Sequence, residues 1–212
     1  MLDNPRHIVI EGPIGVGKTS LALRMAERLK CTTLLEQPEA NPFLERFYRD
    51  SARYAFATQL AFLFKRIEQL RELARRDLFT ETFVADFLLE KDALFASLTL
   101  ADDELALYQQ IFANLAVQAP VPDLVIYLDA SPTALLARIA ERGRPMEVSI
   151  SEAYLEQLCE AYTRFFYRYD ASPLLTVNTE HLDPAHVDDD FELLLDRVRQ
   201  MRGRREFFNR GD

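Results

Sequence analysis

Glycine is scarce in this chain, with only 6 in 212 residues. Three of them, Gly12, Gly15 and Gly17, fall within six positions, so glycine is concentrated where backbone must approach something closely. A fourth, Gly143, separates two arginines, Arg142 and Arg144. Cysteine is almost absent: Cys31 and Cys159 are too few for a disulfide framework and lack metal-ligand spacing, which points to a reduced, cytoplasmic protein. No apolar run reaches the ~18 residues that a membrane span needs, and the first six residues lack the regions of a secretory leader. Pro/Ser-rich linkers and internal repeats are also missing, so residues 1–212 read as one domain. A net charge of −9 argues against a nucleic-acid backbone as the main partner. The basic run Arg197, Arg199, Arg202, Arg204 and Arg205 reads as a solvated helix end and tail. What remains is globular composition, 49% hydrophobic and 28% charged, enough for a substantial core.

The chemistry begins at the first apolar run. His7-Ile8-Val9-Ile10 leads into Glu11-Gly12-Pro13-Ile14-Gly15-Val16-Gly17-Lys18-Thr19-Ser20, which is G-x-x-x-x-G-K-T between a predicted strand and a predicted helix. The glycines let successive backbone N–H groups turn toward a phosphate, and the helix N-terminus adds positive potential. Lys18 is placed to reach the outer phosphates, and the Thr19 hydroxyl is placed to ligate Mg²⁺. This pattern predicts a nucleoside triphosphate site over residues 12–20.

Strand-like runs at 8–11, 32–36, 82–86, 124–129 and 174–178 alternate with helical ones near 20–29, 42–48, 52–76, 102–118, 132–141, 151–169 and 184–202. The alternation predicts an α/β fold, a five-stranded parallel sheet with helices on both faces. Apolar residues of the 52–76 segment, from Tyr54 to Leu73, occupy more than one helical face. One face can pack on the sheet; the other calls for a lid, a second helix or a second copy.

Open parallel sheets deliver functional residues at the carboxyl ends of their strands. Three of the strands after the first end in an acid, Glu36, Asp86 and Asp129. An acid beside bound phosphates orients Mg²⁺ or accepts a proton from an attacking hydroxyl, roles open to Glu36 and Asp86. Asp129, followed by Ala-Ser-Pro-Thr, reads instead as the start of a helix. Arg138, Arg142 and Arg144 surround Gly143, and guanidinium groups match phosphate oxygens bidentately. Together they suggest a lid, about 138–150, that closes over the triphosphate, stabilises charge during transfer and excludes water.

Taken in order, these motifs resemble the deoxynucleoside kinase family, which includes deoxycytidine, deoxyguanosine and bacterial deoxyadenosine kinases. The resemblance runs from residue 8 to about 170. It comprises the phosphate loop, Glu36 followed by Asn41-Pro42-Phe43-Leu44, Phe47-Tyr48, Gln59 with Arg66, the acid at Asp86, Phe95-Ala96, and the lid from Arg138 to Glu147. It implies a P-loop kinase fold with an arginine-rich lid, and transfer of the γ-phosphoryl group of ATP, with Mg²⁺, to the 5′-hydroxyl of a deoxynucleoside. By the same resemblance Glu36 accepts the 5′-hydroxyl proton, Tyr48 and Glu147 contact the sugar 3′-hydroxyl, Gln59 reads the base edge and Phe95 stacks on it. Arg138, Arg142 and Arg144 meet the phosphates, Thr19 and Asp86 serve Mg²⁺, and the molecule is a homodimer.

One feature departs from the pattern. The family usually has acid-Arg-Ser after the third strand, whereas this chain reads Asp86-Phe87-Leu88, leaving the arginine's task to Arg142 or Lys65. By the same resemblance, Arg66 stands where purine- and deoxycytidine-accepting members keep an arginine and Asp92 matches its acidic partner; the pair would crowd a thymine methyl, which favours a deoxypurine with deoxycytidine next. The rival readings are a thymidylate-kinase-like nucleoside monophosphate kinase and a nucleotide-binding module without transfer activity. Glu36 and Glu147 at the acceptor pocket would repel a monophosphate dianion, and no Asn-Lys-x-Asp guanine motif occurs.

Overall fold

The first strand, β1 (His7–Glu11), is buried along almost its whole length, so it needs cover on both faces. In the computed structural model, which describes residues 5–75, 82–115 and 120–210, it receives that cover from two helical layers. Ile8 and Ile10 face one layer with Leu21 and Met25 of α1 (Lys18–Leu29), Leu135 of α6 (Pro132–Arg142) and Leu194 of α8 (Asp188–Gln200). Val9 faces the other layer, where Leu158, Tyr162 and Phe166 of α7 (Glu152–Arg168) stack against Tyr127. Alternate residues of one strand therefore feed two cores, as the two-residue repeat of a strand requires.

The sheet is parallel throughout, with β2 (Thr32–Leu34), β3 (Phe83–Ala85), β4 (Leu124–Asp129), β5 (Leu174–Asn178) and β6 (Arg205–Phe208) in the order β2-β3-β1-β4-β5-β6. The chain leaves β1 toward β3 on one side and returns to β4 on the other, which opens a crevice at the carboxyl end of β1. A third cluster caps that end beyond β2 and β3. It joins α2 (Leu44–Arg49), α3 (Ser51–Arg75), α4 (Lys91–Thr99) and α5 (Asp102–Leu115) around Phe47, Leu63, Ile67, Leu70 and Tyr108.

The sheet has six strands rather than the five expected, and the sixth lies in the basic tail. Phe208 enters the core, and the Arg205 guanidinium donates to the carbonyls of Phe166, at 2.7 Å, and Tyr169, at the C-terminus of α7. Arg197 pairs with Glu206 at 3.3 Å. Two of these arginines thus hold a strand in place. Helix α4 was not expected either: Lys91-Asp92 within an otherwise apolar stretch lacks a helical stripe, and both side chains are buried. Strand β2 ends at Leu34, two residues short of Glu36, and β3 ends one residue before Asp86. The predicted ends of the 52–76 and 102–118 helices fall outside the described residues.

Candidate active site

The loop after β1 needs its glycines for contact as well as for dihedral angle. A Cβ on Gly12 (φ 150°) would lie 2.4 Å from the Leu128 carbonyl oxygen, and one on Gly15 (φ 86°) would lie 2.8 Å from Ile139. Val16 is buried beneath the loop. Lys18 turns back over it, its Nζ donating to the carbonyls of Gly12 at 2.7 Å and Pro13 at 3.1 Å. Desolvation, reinforced by the nearby Lys91 charge, lowers the Lys18 pKa to about 8. Thr19 and Ser20 open the first turn of α1 and face the crevice.

From this loop a pocket of about 400 Å³ runs toward the helical cap. Its walls carry Ile14, Gly15, Gly17, Lys18, Thr19 and Ser20 of the loop and α1, Tyr48, Gln59 and Phe95 of the helical cap, and Arg142, Arg144 and Glu147 of the lid segment, together with Glu36, Arg66 and Asp86. Asp86 is buried and joins two of these groups: Oδ2 accepts from Thr19 Oγ1 at 2.5 Å, and Oδ1 accepts from the Glu36 amide at 2.6 Å. Burial raises its pKa, with the hydrogen bonds working against the rise. The Thr19 hydroxyl and the Asp86 carboxylate are hard oxygen donors set side by side. Among the described residues no group of three His, Cys, Asp or Glu side chains could hold a metal. These two donors therefore suit an ion that takes most of its ligands from phosphates and water, the habit of Mg²⁺.

Glu36 is part of the same wall. Its Oε1 accepts from Arg66 Nε at 2.8 Å and from a terminal nitrogen of the same guanidinium, while Oε2 lies 3.5 Å from Lys91 Nζ. Burial works to raise the Glu36 pKa, but the Arg66 and Lys91 charges outweigh it and hold the carboxyl at about 2. Arg66 also pairs with Asp92, as the sequence suggested, and that carboxylate is fully buried behind the wall. Burial pushes Asp92 up to about 6 against the pull of Arg66.

The helical cap supplies the rest. Gln59 on α3 is buried and donates to Thr99 Oγ1 at 3.3 Å. Phe95 on α4 sets its edge against Tyr162, centroids 6.0 Å apart. Tyr48, at the end of α2, packs edge-on to Tyr154, and burial raises its pKa strongly. The lid follows α6, which Ser131 caps by accepting from the Ala134 amide and which ends in left-handed Gly143. Glu147 is the buried residue of a 3-10 turn (Pro145–Glu147), gripped by Arg142 through both carboxylate oxygens at 2.7 Å. Arg144 reaches Glu39 at 2.9 Å and so ties the lid to the loop beyond Glu36. Arg138 stands apart from the pocket wall, donating to the Thr179 carbonyl at 2.5 Å and the Thr179 hydroxyl at 3.0 Å.

Two findings revise the electrostatic picture drawn from sequence. Glu36 and Glu147 each carry a cationic partner, so the acceptor end is not an uncompensated anionic site and charge alone does not turn a monophosphate away. The position after Asp86 holds Phe87, whose ring lies 6.0 Å from the Arg66 guanidinium. Lys65 pairs with Glu68 on the surface and Arg142 with Glu147, so neither takes up the task next to Glu36. The cation found there besides Arg66 is Lys91. Sequence reading missed it, along with Glu11, the acid that ends β1. Glu11 was a fourth acid-ended strand, but it reads as the lead-in to the glycine loop.

A glycine loop closing on a lysine, an acid-bearing crevice at the switch point and an arginine lid define a P-loop phosphotransferase. The comparisons with known proteins refine this. A family model described as deoxynucleoside kinase matches residues 8–201, and the chain belongs to that family. It is 35% identical over 199 residues to a deoxyguanosine kinase of Bacillus subtilis (strain 168), covering 92% of this chain and 96% of the relative. It is 34% identical over 190 residues to a deoxyadenosine kinase of Dictyostelium discoideum, covering 85% and 76%. A solved structure of deoxyadenosine kinase from M. mycoides with bound dCTP superposes with a TM-score of 0.79 at 27% identity, covering 92% of this chain and all of that one. The chain is thus an ATP-dependent kinase that phosphorylates a deoxynucleoside.

Proposed function

We propose that the acceptor is a deoxypurine nucleoside, deoxyadenosine or deoxyguanosine, and that Glu36 is the group that accepts its 5′-hydroxyl proton. The supporting observation is that Glu36 shares one pocket with the Lys18 loop, to which Asp86 links it by accepting from both Thr19 and the Glu36 amide, and with Gln59 and Phe95 of the helical cap. ATP phosphates lie in the loop of residues 12–20 with Lys18. Thr19 and Asp86 hold Mg²⁺, which neutralises phosphate charge when bound. Arg142 and Arg144 face the transferring group, Tyr48 and Glu147 contact the 3′-hydroxyl, and Gln59 and Phe95 hold the base. The Arg66–Asp92 pair closes the far side to a thymine methyl.

In the transfer, the O5′–H proton passes to Glu36, O5′ bonds to the γ-phosphorus, and the bridging P–O bond breaks with its electron pair on ADP. A carboxyl held near 2 is ionised throughout the physiological range and takes the proton late, as suits a loose phosphoryl-transfer transition state. Glu36→Gln keeps size and polarity but cannot accept the proton. We expect kcat to fall by ~10²–10⁴-fold with ATP binding little changed, since a general base contributes about that much. A change under about threefold would remove Glu36 from this role.

The same reading includes a homodimer in the cytoplasm, residues 1–212 acting as one catalytic unit. Phe64 on α3 and Leu107 on α5 are 53% and 49% exposed, and Tyr108 is the one fully buried residue of α5, so this face suits a second copy of the chain. Among the described residues no helix is long and apolar enough to cross a membrane.

A further inference from the structure

We propose that Lys91, anchored by Glu11, is a positioning residue for Glu36, fixing the carboxylate so that its Oε2 is presented to the acceptor hydroxyl. The proposal rests on the reading of Glu36 as proton acceptor.

Lys91 opens α4 and is 2% exposed. An ammonium group at that depth is costly unless anions surround it. It has two, Glu11 Oε1 and Glu36 Oε2, each 3.5 Å away. Glu11 is itself held by three hydrogen bonds. It is fully buried at the end of β1 and accepts from the Gly12 amide at 3.0 Å, the Leu88 amide at 2.8 Å and the Tyr162 hydroxyl at 3.0 Å. Strand, loop and α7 thus hold one anion still, that anion holds Lys91, and Lys91 faces Glu36.

The two oxygens of Glu36 are treated differently. Arg66 engages Oε1 by direct hydrogen bonds. The 3.5 Å separation at Oε2 is longer than the ~2.7–2.9 Å of a charge-assisted hydrogen bond. Lys91 therefore attracts Oε2 without filling its lone pairs, which leaves that oxygen to receive a proton. The residue after Asp86 is an apolar phenylalanine, so a cation on this side of Glu36 must come from elsewhere, and the first turn of α4 supplies it.

The test is steady-state kinetics with ATP and the best deoxynucleoside, together with thermal melting. The variants are Lys91→Arg, Lys91→Gln, Lys91→Met with Glu11→Gln, Glu36→Gln, and Lys91→Gln with Glu36→Gln. The Met/Gln pair removes both charges at once; Lys91→Gln, close in length and able to hydrogen-bond Glu11, serves if that pair fails to fold. We expect loss of the charge to lower kcat by about tenfold or more, with nucleoside KM within about threefold, and Lys91→Arg to recover part of the loss. In the Glu36→Gln background, Lys91→Gln should cost less than about twofold more, because a residue acting through Glu36 has nothing left to position. A folded charge-removing variant with kcat within about twofold of wild type, or losses that multiply in the Glu36→Gln background, would overturn the inference. If Glu36→Gln is itself near wild type, the proton-acceptor reading fails instead, so the two failures are distinguishable.

Discussion

Arg66 joins two carboxylates with different tasks, and removing it tests both. The side chain is 4% exposed and makes three charge-assisted hydrogen bonds, two to Glu36 Oε1 and one to Asp92 Oδ1. At ~1.5–3 kcal/mol for each hydrogen bond to a charged group, simple addition overstates the loss, because the stranded partners respond. Glu36 retains Lys91 at 3.5 Å. Asp92, which burial already lifts to about 6 beside the guanidinium, takes up a proton once that charge is gone. The cost of Arg66→Met is therefore that of breaking one buried pair, ~3–5 kcal/mol. In a domain of this size each kcal/mol moves Tm by ~2–4 °C, so the melting point should fall by roughly 10 °C. Arg66→Met with Asp92→Ala removes the stranded acid as well, and its cost should fall short of the sum of the single variants by ~2 kcal/mol. Denaturant unfolding at pH 7 of wild type, both single variants and the pair gives that coupling. Initial rates with four deoxynucleosides give its functional side: thymidine should rise in rank and deoxypurine discrimination should decline. Additivity within ~0.5 kcal/mol would refute the energetic coupling, and an unchanged substrate ranking would refute the base-reading role.

Two further outcomes are expected. His7 stacks on Phe83, centroids 4.2 Å apart, and burial lowers its pKa from 6.5 to about 4, with Asp123 pulling the other way. The unfolded chain then binds this proton first as pH falls, so up to ~3 kcal/mol of stability, present above pH 6.5, is lost on the way down to 4. His7→Phe should flatten the unfolding profile over that window, and a parallel decline in both proteins would contradict the assignment. Sedimentation at micromolar concentration should report twice the 24.5 kDa chain mass. Phe64→Glu with Leu107→Glu should dissociate the assembly, whereas a wild-type monomer would count against the dimer.

Local signals carried most of the fold. The glycine loop, the buried apolar strands and the Ser131 cap are written in neighbouring residues, and the structure has a strand or helix at each predicted run. What escaped was tertiary. Lys91 is a lone basic residue in an apolar stretch without a helical stripe, yet it is buried because Glu11 and Glu36 converge on it from two other segments. Arg205 looks like part of a basic tail until the end of α7 offers it two carbonyls. Resemblance placed Tyr48, Gln59 and Phe95 at the pocket, where residue type alone would have left them in the core. The charge partners of Glu36 could not be read from spacing, since Arg66 and Lys91 reach it from α3 and α4, whereas the Glu147 partner, Arg142, lies five residues away in the same lid.

The central claim is transfer of phosphoryl from ATP to a deoxynucleoside, and one measurement addresses it directly. Purified protein is incubated with ATP, Mg²⁺ and, in turn, deoxyadenosine, deoxyguanosine, deoxycytidine, thymidine and each of their 5′-monophosphates, and products are resolved by chromatography. The expected result is a 5′-monophosphate from the nucleosides, with the highest kcat/KM for a deoxypurine and no turnover of the monophosphates. Phosphorylation of the monophosphates alone, or no product from any nucleoside, would contradict the account.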